Sequence, residues 1–190
     1  MLLTLISLTD IEMREAHRRA AEIEGHEWID GDNYTELVVP DRWLTGTIGE
    51  LAVRKWAEQE NLMYFETSNT EGKPDLQDFV FEFQNGHRMR INVKNSMIPN
   101  ARFLMQPEKQ ALKHRNQDVY IGASGEYKDN DKGLVSGAVV RLWGYISRDQ
   151  FMDQAERTER RCRTLELPLA GLHPMEKLAF QTAKRSMRRH

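Results

Sequence analysis

This 190-residue chain has a single cysteine, few prolines and no apolar run long enough to cross a bilayer. The lone Cys162 excludes an intrachain disulfide and any multi-cysteine zinc site, which suits a reducing compartment. His17, His26, His87, His114, His173 and His190 are scattered without a pair at zinc spacing, so they read as surface or capping residues. The chain has no Gly-Lys-Ser/Thr phosphate loop and no dinucleotide fingerprint, which argues against ATP-driven action on its own. It also has no excess of either charge. The 27 Lys and Arg against 29 Asp and Glu leave a net of −2, so a polyanion-binding face must come from local clustering. Met1 to Leu8 is apolar but has no basic leader, and Asp10 and Glu12 follow at once. A cytoplasmic chain with no membrane association is expected.

What is present suits one folded domain. A hydrophobic share of 39% supplies a core, and a charged share of 29% supplies its solvated surface. Thr9-Asp10-Ile11-Glu12 is a capping-box pattern, and a helix is expected over about 10–24, with Ile11, Ala16, Ala20 and Ile23 inward. Asp41 after Pro40 can cap a second helix that carries Leu44, Ile48, Leu51, Ala52 and Trp56 at helical spacing. Glu50 falls beside that stripe.

The period then changes to two. Leu62 to Glu66 and Phe79 to Phe83 read as strands. Asn85-Gly86 is a hairpin signal, because both positions tolerate positive φ. The return strand alternates, with Met89, Ile91 and Val93 on one face and Arg88, Arg90, Asn92 and Lys94 on the other. A helix is expected from Gln106 to Asn116 with Pro107 in its first turn, then strands at Val119 to Ala123 and Val135 to Ile146. Arg148 to Arg163 reads as a charged helix, Leu165 to Leu169 as an edge strand, and Pro174 as the start of a last helix. A basic tail of about 184–190 closes the chain. The order indicates an α/β fold, a mixed central β-sheet flanked by helices.

One constellation carries chemistry. Asp75 follows Pro74 at the entry to the hairpin, and Asn92 and Lys94, two apart, share a strand face. Pairing across the turn brings the entry of the first strand toward Lys94. A carboxylate, a neutral oxygen and an ammonium on one spot suit phosphodiester hydrolysis. In that reaction a hard divalent cation on oxygen ligands polarises the phosphate, and a lysine orients water or offsets charge.

Thr47-Ile48-Gly49-Glu50-Leu51-Ala52-Val53, Lys73-Pro74-Asp75 and Ile91-Asn92-Val93-Lys94 together resemble the PD-(D/E)XK nuclease superfamily. Trp143-Gly144-Tyr145-Ile146-Ser147 with a helix after it is similar to the later core of resolvase-like members, so the resemblance covers roughly 41–153. It implies a restriction-endonuclease-like core and a Mg²⁺- or Mn²⁺-dependent nuclease acting on DNA. Glu50 and Asp75 would serve as metal-holding acids and Lys94 as the residue that positions the nucleophile. Asn92 stands where the family carries an acid and would give an oxygen contact without charge. Glu66 and Asp78 are substitute ligands for the missing acid. Taken singly, Glu50 also reads as a solvated helix acid, Asp75 as a turn residue and Lys94 as a solubility residue.

Arg88, Arg90, Gln106, Lys109 and Lys113 are candidates for phosphate contacts, or alternatively part of a solvated strand edge and helix surface. The arginines at 157, 160, 161 and 163 and the basic tail would add nonspecific DNA affinity. Trp28, Trp43, Trp56 and Trp143 read as packing residues. Two further readings stay open: a weakened nuclease fold that binds nucleic acid or a protein partner, and a subunit of a larger assembly. The resemblance also implies a homodimer as a partner of the nuclease reading, because cutting two strands needs two sites.

Overall fold

The computed structural model describes residues 4–24, 42–66, 78–96, 101–113, 117–129, 135–159 and 162–184. The fold is mixed α/β. Six strands form one sheet in the order β1-β7-β6-β4-β3-β2: β1 (Thr4–Leu8), β2 (Tyr64–Glu66), β3 (Phe79–Glu82), β4 (Arg88–Ser96), β6 (Val119–Asp129) and β7 (Val135–Ser147). β4 and β6 run parallel, and the other neighbouring strands of this sheet run antiparallel. A smaller sheet has the order β5-β9-β8, from β5 (Phe103–Pro107), β8 (Glu156–Glu159) and β9 (Arg163–Pro168).

Two apolar clusters follow from the strand alternation. One face of the large sheet gives Ile91, Val93, Ile121, Val140 and Leu142 to a core with the helices α1 (Asp10–Glu24) and α2 (Arg42–Gln59). α5 (Met175–Gln181) adds Met175, Leu178 and Ala179 to the same core. The opposite face gives Tyr120 and Ile146 to a second cluster with Leu104, Leu165 and Leu167 of the small sheet. Phe151 of α4 (Arg148–Gln154) and Ala111 of α3 (Glu108–Lys113) close that cluster. Fully burying each such aromatic or branched side chain contributes about 1.5–3 kcal/mol. At Gly122 a Cβ would meet Leu172 and Leu169 at 2.6 and 2.8 Å, so the second layer packs directly on the sheet backbone.

The capping box forms: the Thr9 amide donates to the Glu12 carboxylate at 2.6 Å, and the Glu12 amide donates to Thr9 Oγ at 3.4 Å. Ile11, expected inside, is 76% exposed, and Met13 takes the inner place with Ala16. The cap fixes the helix start, and from there the face toward the sheet runs through 13 and 16. The segment before it is the edge strand β1 rather than a bare apolar end. It pairs with β7 from Thr4 opposite Leu142 to Leu8 opposite Ala138. At the hairpin only Gly86 has positive φ, at 77°. The Gly86 amide donates to the Phe83 carbonyl at 2.9 Å and the Phe83 amide to His87 at 2.8 Å. The loop is therefore three residues long with its left-handed residue last, not a two-residue turn with both central φ positive.

Three other expectations change. Gln106 and Pro107 belong to β5, where Gln106 pairs with Leu165, and the helix begins only at Glu108. The Arg148–Arg163 stretch is helical only to Gln154; β8 then pairs with β9, because its alternating Glu-Arg-Thr-Glu has a partner strand to bind. β9 is the central strand of the small sheet, not an edge. Among the described residues no helix is long and apolar enough to cross a membrane.

Candidate active site

Helix α2 lies close against β4, and a glycine permits it. A Cβ on Gly49 would come within 2.5 Å of Asn95 Cβ and 3.3 Å of a Val93 methyl. Asn95 also donates from Nδ2 to the Thr45 carbonyl at 2.8 Å, which ties the end of β4 to the first turns of the helix. Glu50 is the next residue along and is thereby held over the same end of β4. Gly49→Ala is expected to destabilise the protein by about 1–3 kcal/mol through overpacking. Gly46→Ala, where nothing lies within 4 Å of the added methyl, is expected to be neutral or mildly stabilising. Urea unfolding of the two variants checks the contrast.

The second carboxylate is Asp78, one residue before β3. β3 pairs with β4 from Phe79 opposite Ile91, so Asp78 stands opposite Asn92. Its amide donates to the Ile91 carbonyl at 2.9 Å, and its carboxylate accepts from the Val93 amide at 2.5 Å. These two bonds fix the acid at the mouth of the hairpin beside Lys94. Asp75, the acid expected from the sequence, lies outside the described residues.

Glu50, Asp78 and Lys94 act on one another electrostatically. Each residue keeps some exposure, so the site is a recess rather than a sealed cavity. Desolvation is still the largest influence on all three. Burial, and then the charge of Asp78, push the Glu50 carboxyl up to about 8, against smaller lowering by Arg19 and Lys94. Burial pushes Asp78 up to about 6, opposed by Lys94 and by the Val93 amide. Burial pulls the Lys94 ammonium down, opposed by Asp78 and Glu50. Two acids and one lysine thus share a poorly solvated spot with one net negative charge when all are ionised.

Asn92 is buried at 7% exposure beside this group, paired in register with Tyr120 of β6. A third carboxylate there would add like-charge repulsion to acids that already ionise reluctantly. A neutral amide avoids that cost and still offers an oxygen. Glu66, the other substitute ligand, is drawn into ion pairs with Arg19 at 3.1 Å and Arg54 at 3.5 Å. Glu15 joins the same network through Arg54 at 2.7 Å. Among the described residues no three His, Cys, Asp or Glu form a ready-made metal cage. Mg²⁺ commonly needs only one or two protein carboxylates and completes its shell with water and substrate phosphate. Glu50 and Asp78 fit that donor set.

The basic residues separate by role. Arg90 donates from its backbone and side chain to Asp118, joining β4 to the start of β6. Arg88 reaches Glu82 at 3.4 Å and lies 5.2 Å from the centre of the Phe65 ring. Gln106 is 1% exposed and contacts Gln110 at 3.4 Å, so it faces the interior of the small sheet. Lys109 lies on the exposed side of α3, and Lys113 ends that helix. Trp56 is buried and Trp43 and Trp143 half-buried, as packing residues would be, while Trp28 lies outside the described residues.

The fold and site define the chain as a mixed α/β protein with an acid–acid–lysine recess at the end of a parallel strand pair. Comparison with protein-family models, with curated proteins and with solved structures gives no match to this chain.

Proposed function

We propose that this chain is a metal-dependent nuclease that hydrolyses phosphodiester bonds in DNA, with Glu50, Asp78 and Lys94 as its working residues. The observation that carries the reading is that Glu50 from a helix, Asp78 from a strand entry and Lys94 from a strand lie within electrostatic reach of one another in one poorly solvated recess. The order of acid, acid and lysine along the chain supports it further. Asp78 takes the strand-entry role in this reading, and Asp75 remains a candidate only for an outer contact.

A bound Mg²⁺ or Mn²⁺ would polarise the scissile phosphate and acidify a water molecule. Glu50 and Asp78 would hold the cation, and Asn92, on the same strand face as Lys94, would offer a neutral oxygen. Lys94 orients the attacking water and offsets charge that develops on the phosphate. Its depressed affinity for a proton also suits it to take one from that water. Cleavage of both strands of a duplex would call for two such sites, which a homodimer supplies.

Metal binding can be read apart from cleavage. Because the cation competes with protons for Glu50 and Asp78, Mn²⁺ is expected to raise Tm more at pH 8 than at pH 5.5. At about 100 times its Kd a ligand contributes about 2.7 kcal/mol, or roughly 5–10 °C for a domain of this size. Asp78→Asn should abolish the shift in differential scanning fluorimetry; an equal shift in that variant would place the metal elsewhere. Incubation with linear, circular, single-stranded and branched DNA plus Mg²⁺ or Mn²⁺ tests the activity itself. The neutral Asn92 favours a second reading, a weakened nuclease fold that binds nucleic acid or a protein partner. In that case DNA is retained and left uncut.

A further inference from the structure

Two strands away from Lys94, on the same face of the large sheet, lies a hollow of about 230 Å³. Leu5, Ser124, Gly125, Glu126, Val139 and Arg141 line it. The strand register sets its relation to the recess. Lys94 pairs with Gly122 and Ser96 with Ser124 across the parallel β4–β6 ladder. Ser124 pairs with Arg141 across β6–β7, and Leu5 pairs with Arg141 across β1–β7. Paired residues share a face, so Lys94, Ser96, Ser124, Arg141 and Leu5 form a diagonal row on one side of the sheet. From strand spacing and rise, the Cα atoms of Lys94 and Arg141 stand about 12 Å apart. A few nucleotides of backbone span that distance.

The hollow is equipped for an anion. The Arg141 guanidinium lies over the Trp143 ring, 5.3 Å from its centre. Its Nε is buried and has no hydrogen-bond partner among the described residues. A buried charged donor left unmatched is costly and calls for an acceptor. Ser124 Oγ accepts from the Trp143 indole N–H at 2.8 Å, so its own proton is directed away from the indole and can be donated. Leu5, at 59% exposure, and the exposed Glu126 leave the rim open to solvent. Glu126 opposes a multiply charged anion more than a singly charged one, which favours a phosphodiester over free phosphate.

We infer that Arg141, braced by Trp143 and Ser124, forms a phosphodiester-binding subsite that holds the nucleic-acid strand a few nucleotides from the bond presented to Lys94. The inference rests on the nuclease reading for its second half only, since backbone binding at Arg141 does not require cleavage.

The test uses the full chain and fluorescently labelled oligo-dT strands of about 3 to 12 nucleotides. Anisotropy is followed in EDTA at several salt concentrations, and cleavage is followed with Mg²⁺. Arg141→Gln is expected to bind the longer strands about tenfold more weakly, with a salt slope smaller by about one. In cleavage its KM should rise while kcat holds. Arg141→Lys should keep the salt slope and lose part of the affinity, because the paired donors of the guanidinium are gone. Glu126→Lys changes only the exposed rim and should tighten binding and steepen the slope. It decides the matter if Arg141→Gln does not fold. A folded Arg141→Gln with wild-type affinity and slope overturns the inference, as does Glu126→Lys with unchanged or weaker binding. A wild type that binds no strand overturns it together with the nuclease reading. Binding that depends on Arg141 without any cutting sinks the nuclease reading and leaves the subsite standing. Cutting that ignores Arg141 does the reverse.

Discussion

Asp78→Asn is expected to lower Mg²⁺-supported DNA cleavage by about 10²- to 10⁴-fold, and Lys94→Ala by a similar factor, while Asp75→Ala stays close to wild type. The contrast between the two aspartates decides the site. Asp78 is bound at both its amide and its carboxylate to β4, and its charge is felt by both Glu50 and Lys94. Asn at that position keeps the amide-to-carbonyl bond and an oxygen for the Val93 amide, so the hairpin should survive. What it loses is the negative charge that would hold a cation. Lys94→Ala removes a desolvated ammonium but also the cation that favours the charged forms of Asp78 and Glu50, so its melting curve is read beside its rate to separate lost catalysis from lost stability. Initial rates on supercoiled and single-stranded DNA, with a melting curve for each protein, provide the measurement. A folded Asp78→Asn that cuts at the wild-type rate, beside an inactive Asp75→Ala, would return the metal ligand to Asp75.

The sequence offers Asp78 only as a substitute ligand beside Asp75, and what sets it next to Lys94 is strand register. Pro74-Asp75 carries the motif spelling, but the residue beside Lys94 is fixed by where β3 begins to pair. Phe79 opposite Ile91 sets it, and this long-range pairing has no local signature. Glu50 and Lys94 were legible because helical and strand periodicity place them without reference to any partner. The same distinction runs through the fold. The β3–β4 hairpin and α2 are local patterns and were readable. The small sheet was not, since β5 and β8 become strands only by finding β9, fifty or more residues from the first of them. Gln106 illustrates the consequence: helix spacing made it a surface residue, whereas strand pairing buries it. Arg141 is illegible in the sequence for a related reason. Nothing in Val-Val-Arg-Leu-Trp marks an anion site until the sheet sets Ser124 and Leu5 on either side of it.

Glu50→Gln should make the protein more stable at alkaline pH while removing its activity. Burial and the Asp78 charge raise the folded-state pKa of Glu50 from its ordinary 4.5 to about 8. Between those values the folded chain holds a proton that the unfolded chain releases, so wild-type stability falls as pH rises through this window. Below about pH 4.5 both states are protonated and the group costs nothing. Above about pH 8 the full penalty of a desolvated charge is present. Asp78 contributes in the same direction over a lower window, from its ordinary 3.8 to about 6. Gln has the shape of the protonated acid and cannot ionise, so it removes the Glu50 penalty. The gain is partly offset because Lys94 loses an anion that favours its charged form. Allowing for solvent access to the recess, the variant should be about 1–3 kcal/mol more stable at pH 8.5, roughly 3–9 °C in Tm, with little difference near pH 4.5. Thermal unfolding of both proteins in EDTA from pH 4.5 to 9 measures it. A flat difference across that range would mean that Glu50 is solvated in the free protein.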